Sequence, residues 1–271
     1  MRFINRHPER GGRLLLALLP FVLLLLVYVI ASATRLAENP DDRLLPSVGQ
    51  MADAVRQMAF TEDERTGEYL MWSDTAASLK RLAAGLGVAA LAGLCLGIAA
   101  GSFPILGAAF SPLLAVVSMI PPLAVLPILF IVFGLDELSK VMLIVIGVTP
   151  LLARDLEQRA REMPQEVLVK AQTLGANSWT IVLRVILPQL LSRLLVSLRL
   201  LMGAAWLFLI SAEAISATAG LGYRIFLVRR YMAMDVILPY VLWITLLAWL
   251  TDYALRRLNR WWFPWSEGAR A

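Results

Sequence analysis

Residues 82–103, LAAGLGVAALAGLCLGIAAGSF, contain no charged side chain. An uncharged stretch of about 20 residues is long enough to cross the hydrocarbon core of a bilayer as a helix. Small residues recur at every fourth position of this stretch: Gly85, Ala89, Gly93, Gly97 and Gly101. Such a face lets two helices approach closely in lipid. We therefore predict a transmembrane helix whose small-residue face packs either within the subunit or against a second copy.

The composition of the whole chain is typical of a membrane protein. Hydrophobic residues make up 59% of the 271 residues and charged residues 17%, whereas soluble domains have about 45–50% and about 25%. One cysteine cannot form an internal disulfide. The single histidine, His7, precedes the first apolar stretch, which excludes a multi-histidine metal site and a hydrolase triad. The net charge of +5 suits a membrane better than nucleic acid. We expect no catalytic site, no metal and no bound cofactor in this chain.

Apolar stretches recur along the chain. The predicted spans are residues 14–33, 82–103, 105–135, 138–153, 194–215 and 236–255. The sequence thus predicts an all-α, polytopic membrane protein with about six transmembrane helices. The first stretch has a second interpretation, because Ala31-Ser32-Ala33 resembles the cleavage site of a signal peptide. Cleavage there would leave five spans.

Basic residues indicate the orientation of these spans. Arginines precede the first span, recur in residues 154–193 and follow the last span, whereas residues 36–75 are rich in acidic side chains. Because cytoplasmic loops carry the excess of lysine and arginine, we expect both termini in the cytoplasm. The predicted organisation is a cytoplasmic tail and first helix over 1–35, an external polar segment over 36–78, a transmembrane core over 79–260 and a cytoplasmic tail over 261–271.

The external segment contains one helix signal. Ser47 and Gln50 resemble a capping box, and apolar residues follow at helical spacing. The pattern predicts a short amphipathic helix, which either docks a partner or packs at the outer surface of the membrane.

Candidates for the solute pathway come from two places. The proline-rich stretch 118–127 interrupts the third span, and broken backbone at membrane depth lines a cavity or is buried in protein; a simple kink is the alternative. Glu213 lies near the outer end of the fifth span, where an intramembrane carboxylate either holds the outer loop or contacts the solute. The pathway candidates are Ser118, Pro121, Pro122, Glu213 and Ser216.

The longest internal segment is EMPQEVLVKAQTLGANSWTIVLRVILP, residues 162–188. Pro164 suits the first turn of a helix and Gly175 its C-terminal cap. A second helix is predicted from about Ser178 to a point before Pro188, because the residue preceding a proline disfavours helical backbone. The segment therefore predicts a helix–turn–helix that projects between two spans.

This segment resembles the inner-membrane permeases of binding-protein-dependent ABC importers. Their hallmark is Glu-Ala-Ala, three residues, Gly, nine residues, Ile, one residue and Leu-Pro. The positions that fit are Ala171, Gly175, Val185, Leu187 and Pro188, whereas Val169 and Lys170 depart from the opening Glu-Ala. The phrases KAQTLGANSW, VILPQLL and SAEAISATAGLGYRIF are similar to the nitrate, sulfonate and taurine branch. The resemblance covers about residues 45 to 260.

The resemblance implies a type I ABC importer permease core in the bacterial inner membrane, with a cytoplasmic coupling helix. It implies separate ABC ATPase subunits that hydrolyse ATP, an external solute-binding protein and a second permease copy, expected as a homodimer. The sequence agrees with a separate ATPase subunit, because it has no Gly-Lys pair and hence no P-loop of its own. The implied coupling residues are Glu166, Ala171, Leu174, Gly175, Ala176, Leu187 and Pro188.

Other classes of function stay open from the sequence. A secondary transporter or channel would also have several spans, but it would predict internal repeats and mid-membrane ion-coupling residues. The expected solute is a small polar organic molecule. The stretch 220–250 is similar to members associated with urea carboxylase, which implies a urea- or guanidine-like solute, with taurine or another sulfonate as the alternative.

Overall fold

The computed structural model describes residues 10–40, 42–64 and 66–265, and across these ranges the chain is helical with no strand, which confirms the predicted all-α class. The rest of the predicted tails, residues 1–9 with His7 and residues 266–271, lies outside the described residues. The helices are α1 (Arg10–Glu38), α2 (Val48–Phe60), α3 (Leu70–Ser102), α4 (Pro104–Val117), α5 (Pro122–Phe133), α6 (Glu137–Arg161), α7 (Gln165–Thr173), α8 (Ser178–Ile181), α9 (Leu187–Ser216), α10 (Leu221–Arg229) and α11 (Met234–Trp262).

Four helices of the described chain are long and apolar enough to cross a membrane: Gly11–Glu38, Leu70–Ser102, Ser178–Ser216 and Met234–Trp262. Helices α4 and α5 make a fifth span if they are counted together, but they are bent by 97°. The predicted span 105–135 is therefore two helices, and the interruption expected within residues 118–127 is present. The backbone breaks at Pro121-Pro122, where two consecutive residues lack the N–H that an α-helix needs.

The predicted span 138–153 lies within α6, the most enclosed helix of the bundle. Its middle is buried, and charged residues stand at both of its ends. A helix enclosed by other helices does not need the continuous apolar surface that lipid demands of an exposed one. Helix α6 is thus the central element on which α3, α5 and α9 pack.

The small-residue face of α3 packs against α6. A methyl group built on Gly85 would lie 2.8 Å from Ile144 Cβ, and one on Gly97 would lie 2.6 Å from Leu156 Cβ. Gly93 and Gly101 meet α6 equally closely. Of the two alternatives for this face, packing within the subunit is therefore confirmed.

Helix α3 begins at Leu70, well before the predicted start at residue 82. The added turns contain Asp74, Ser78 and Arg81, all of which are buried. A hydropathy pattern excludes such residues from a span, but here each has polar partners. The helix therefore continues through them.

The chain divides into two compact units. In the unit formed by Met1–Tyr69 and Val228–Val241, the Tyr28 hydroxyl donates to the Pro46 carbonyl at 2.6 Å, and Ser32 Oγ donates to Leu45 O at 3.0 Å. Helix α2 begins with Ser47 and Gln50 in a reciprocal capping box, which confirms that prediction. The second unit, Leu70–Leu227 with Leu242–Ala271, contains the candidate functional residues.

Candidate functional site

The turn after α7 has the geometry that its glycine predicts. Gly175 has φ +84°, a left-handed conformation that glycine adopts without steric cost. Its N–H donates to Gln172 O at 2.9 Å, and the N–H of Ala176 donates to Ala171 O at 3.0 Å. This pair of bonds is a Schellman motif. The predicted role of Gly175 as the C-terminal cap is confirmed.

The second helix of the segment does not end before Pro188, so that prediction is wrong. Asn177 caps α8, with Oδ1 accepting from the Thr180 N–H at 2.8 Å. The backbone then passes through a π-helical turn, Val182–Ile186, into α9. Pro188 lies in the first turn of α9. The wider π turn changes the hydrogen-bond pattern next to the proline, and the helix continues because the proline ring no longer meets a regular α-helical turn.

The tip of the segment exposes apolar side chains. Leu174 is 88% exposed and Trp179 is 67% exposed. The rings of Trp179 and Phe103 meet edge to face, with centroids 6.3 Å apart, which holds the tip against the bundle. Exposed apolar patches of this kind mark interaction surfaces.

The remaining predicted coupling residues have different environments. Glu166 and Gly175 are exposed at the surface. Ala171 and Ala176 pack against the buried cluster that contains residues of α6, α8 and α9. Leu187 and Pro188 are half-buried where α9 begins. The segment thus has an exposed tip on a base that is packed into the protein.

The end of this unit opposite residues 162–188 holds a buried ionic network, which the sequence did not predict. Arg81 of α3 donates through Nη1 to Glu213 Oε1 of α9 at 2.7 Å and through Nη2 to Glu137 Oε1 of α6 at 2.8 Å. Lys140 donates to the same Glu137 oxygen at 3.1 Å. The hydrogen bonds from Arg81, assisted by Lys140 and opposed by partial burial, lower the pKa of Glu137 to about 2.

The same network binds the loop that precedes α10. Glu213 is fully buried, and it accepts hydrogen bonds from Ser78 Oγ at 2.8 Å and from the Gly222 N–H at 2.9 Å. Asp74 accepts from the Gly220 N–H at 2.8 Å and pairs with Arg224 at 2.7 Å. These contacts favour the interpretation in which Glu213 holds the outer loop over the one in which it contacts the solute.

The structure does not bring the pathway candidates together. Ser118 ends α4 and accepts a hydrogen bond from Arg154 of α6 at 2.9 Å. Arg154 follows Glu137 by 17 residues along α6, which corresponds to about 26 Å, so Ser118 and Glu213 lie near opposite ends of the bundle. Ser216, at the end of α9, donates only weakly to Ala212 O at 3.4 Å.

The two prolines among the candidates form the bend between α4 and α5. Pro121 is the residue before α5, and Pro122 is its first residue. Neither can donate a backbone hydrogen bond. Their position is consistent with the broken backbone that was expected to line a cavity.

The buried state of two basic residues of this network was not predicted. Arg81 precedes the predicted span 82–103, and Lys140 lies in the first turn of the predicted span 138–153, so a hydropathy pattern treats both residues as solvated ends of a helix. Arg199, which lies within the predicted span 194–215, pairs with Asp252 of α11 at 2.9 Å. The sequence signal that could have predicted these ion pairs is the presence of acidic and basic residues at matching depths of different spans.

A bundle of membrane-spanning helices with a projecting helix–turn–helix is the architecture that the sequence led us to expect of a transport subunit of an ABC importer. The chain belongs to the family described as binding-protein-dependent transport system inner membrane component, which it matches over residues 93–265. The predicted resemblance to the nitrate, sulfonate and taurine branch is confirmed.

Two relatives and one solved structure illustrate the match. The chain is 35% identical over 195 residues to the taurine transport system permease protein TauC of Escherichia coli, covering 72% of this chain and 71% of the relative. It is 31% identical over 217 residues to the bicarbonate transport system permease protein CmpB of Synechococcus elongatus, covering 74% and 77%. An inward-facing structure of the MetNI methionine ABC transporter shares the fold, with a TM-score of 0.57 and 21% identity over 74% of this chain and 99% of that one.

The protein is therefore a multi-pass inner-membrane permease subunit of an ABC importer. Membership of this family implies a partner ATPase, which uses ATP, and a solute-binding protein. No observation favours the alternative of a secondary transporter or channel.

Proposed function

We propose that residues 162–188 are the surface through which this permease is coupled to its ATPase. The observation that carries the proposal is the exposure of Leu174, 88%, beside the fixed backbone of Gly175. An apolar side chain held on a rigid turn pays little conformational entropy when a partner covers it. Ala171 and Ala176 connect this tip to the buried cluster, so a force on the tip reaches α9.

The experiment is co-purification of the ATPase with a tagged permease. Leu174→Glu should abolish both co-purification and ATP-driven uptake, because a charge replaces the apolar contact. Leu135→Glu is the matched control, since Leu135 is also an exposed leucine, 61%, in the turn after α5. Retention of the ATPase by Leu174→Glu would contradict the proposal.

We further propose that the chain has no ATPase site and that both termini are cytoplasmic. The absence of a Gly-Lys pair supports the first statement, and the distribution of arginines supports the second. In a background where Cys95 is replaced by serine, Asn177→Cys should react with a membrane-impermeant thiol reagent only from the cytoplasmic side. Asp63→Cys should react only from outside. The reverse pattern would overturn the orientation.

The assembly we propose is a homodimer of this chain with two ATPase subunits, importing a small polar organic solute. The two permeases would enclose the pathway, with the bend between α4 and α5 lining it. The relatives named for taurine and bicarbonate support a solute that carries an anionic group over a urea- or guanidine-like one. Co-expression of two differently tagged copies tests the homodimer, because pull-down of one tag should recover the other.

A further inference from the structure

Arg154 of α6 lies beside the bend between α4 and α5. It is an exposed residue of α6, and its Nη1 donates to Ser118 Oγ at 2.9 Å. Ser118 in turn donates to Ala115 O at 2.9 Å, which fixes the orientation of its hydroxyl group. The guanidinium group is therefore held at the end of α4, where the chain turns by 97° into α5.

Next to Arg154 lies an open cavity of about 620 Å³, lined also by Ser111 and by three carboxylates. Each carboxylate already has a basic partner. Asp155 pairs with Arg193 at 2.7 Å, Glu157 with Arg161 at 2.8 Å and Glu162 with Arg159 at 3.0 Å.

Arg154 differs from the other cations of this cavity. Within the described part of the chain, its hydrogen-bond partner is a neutral hydroxyl, and no carboxylate lies within ion-pair distance of it. A guanidinium group has five N–H donors in a planar fork, and one hydrogen bond leaves the others able to bind a ligand. The cavity therefore carries one positive charge that this chain does not neutralise. Such a fork matches carboxylate and sulfonate oxygens in a bidentate manner.

We propose that Arg154, oriented by Ser118, binds the anionic group of the solute in the inner half of the pathway and so determines charge specificity in the permease itself. The inference rests on the proposed function, because it requires the bend between α4 and α5 to line the pathway. Irregular backbone at membrane depth is tolerated where it lines a cavity. The single hydroxyl contact and the open cavity suit a site that must release its ligand.

The test uses the complete importer in proteoliposomes, with taurine and bicarbonate as probes that carry an anionic group and urea as a probe without one. Arg154→Gln retains a side-chain donor for Ser118 but removes the charge, and it should lower kcat/KM for anion uptake about 10- to 100-fold. Arg154→Lys restores the charge without the planar fork and should recover part of the loss. Ser118→Ala should raise KM a few-fold, because the guanidinium loses its orientation. ATPase co-purification should be unchanged in all three variants.

The control is Arg56→Gln, because Arg56 is an exposed arginine of α2 that does not line this cavity; anion uptake should be unaffected. The inference is overturned if Arg154→Gln imports the anions with the parental kcat/KM, which would indicate that only the hydrogen bond to Ser118 matters. It is also overturned if the parental complex imports neither anion. Failure of the parental permease to recruit the ATPase would instead overturn the proposed function.

Discussion

The ionic network around Glu213 and the proposed coupling segment, residues 162–188, use opposite means of stabilisation. In the ionic network, Glu213 and Arg81 are buried, and this chain supplies their partners. In the proposed coupling segment, Leu174 and Trp179 remain largely exposed among the described residues, although Trp179 contacts Phe103. The ionic network is thus complete within the subunit, whereas the proposed coupling segment leaves apolar side chains available to a partner. Substitutions in the first region should change folding, and substitutions in the second should change assembly.

Breaking the ionic network should have the largest effect. Arg81→Ala leaves Glu213 fully buried without its cation, and removal of one partner of a buried ion pair costs about 3–5 kcal/mol. We expect little folded protein and a clearly lower thermal midpoint in detergent. Arg159→Ala removes an exposed pair, which contributes about 0–1 kcal/mol, and should behave like the parent. An unchanged midpoint for Arg81→Ala would show that the network is dispensable.

The seam between α3 and α6 gives a second folding defect of intermediate size. Gly97→Ala places a methyl group 2.6 Å from Leu156 Cβ, and overpacking of this kind costs about 1–3 kcal/mol. Gly87→Ala is the control on the same helix, because a methyl group there meets nothing within 4 Å; it should be neutral or slightly stabilising. The prediction fails if the two variants have equal thermal midpoints.

Changes at the coupling segment should affect function far more than folding. Gly175→Asp should leave the spans inserted and the permease dimeric, with about 1–2 kcal/mol of lost local stability because of the left-handed backbone at this position, but should weaken ATPase association and abolish uptake. The reason is that the added group strains the turn and must be desolvated when the ATPase covers it.

Gly175→Asn separates these two causes, because it matches aspartate in shape and lacks its charge. Greater ATPase retention by the asparagine variant would indicate that desolvation of the charge dominates. Normal uptake by a well-expressed Gly175→Asp protein would refute the role of this turn in coupling.

The smallest effect is expected at the exposed edge of the ionic network. Pairing lowers the pKa of Glu137 from 4.5 to about 2, so its stabilising contribution is complete above about pH 4.5 and is lost as the pH falls toward 2. The side chain is 63% exposed, so solvent screens the pairs and the contribution is below about 1 kcal/mol. The parent should exceed Glu137→Gln in thermal midpoint at pH 7, and the difference should shrink at pH 3. A difference that grows on acidification would contradict this assignment.

The features that the sequence predicted correctly are determined by residues that lie close together in the sequence. The capping box of Ser47 and Gln50, the left-handed cap at Gly175 and the small-residue face of α3 each follow from spacing within a few turns of helix. The ionic network could not be predicted in this way, because Arg81 and Glu213 are 132 residues apart. Its formation depends on how α3 and α9 pack around α6.

Of the two predictions that rested on prolines, one was correct and one was wrong. At Pro121-Pro122, consecutive missing donors break the helix, and the sequence indicated an interruption but not its 97° bend. At Pro188, the sequence predicted an end, yet the helix continues because the π-helical turn precedes it. Which outcome occurs depends on whether the preceding turn can change its hydrogen-bond pattern while its apolar side chains stay buried.

The unbroken helix Ser178–Ser216, 39 residues long, joins the coupling segment to the outer loop by a single axis about 58 Å long. Trp179 near one end and Glu213 near the other belong to the same continuous helix, so a rotation of the proposed coupling segment about this axis would also rotate the end that holds Glu213. The π-helical turn determines how α9 is rotated about its axis relative to residues 162–181, because this turn contains one residue more than an α-helical turn. Deleting one residue within Val182–Ile186 would turn the whole of α9 by about 100° relative to the coupling segment, and every side chain on α9 would then face a different neighbour.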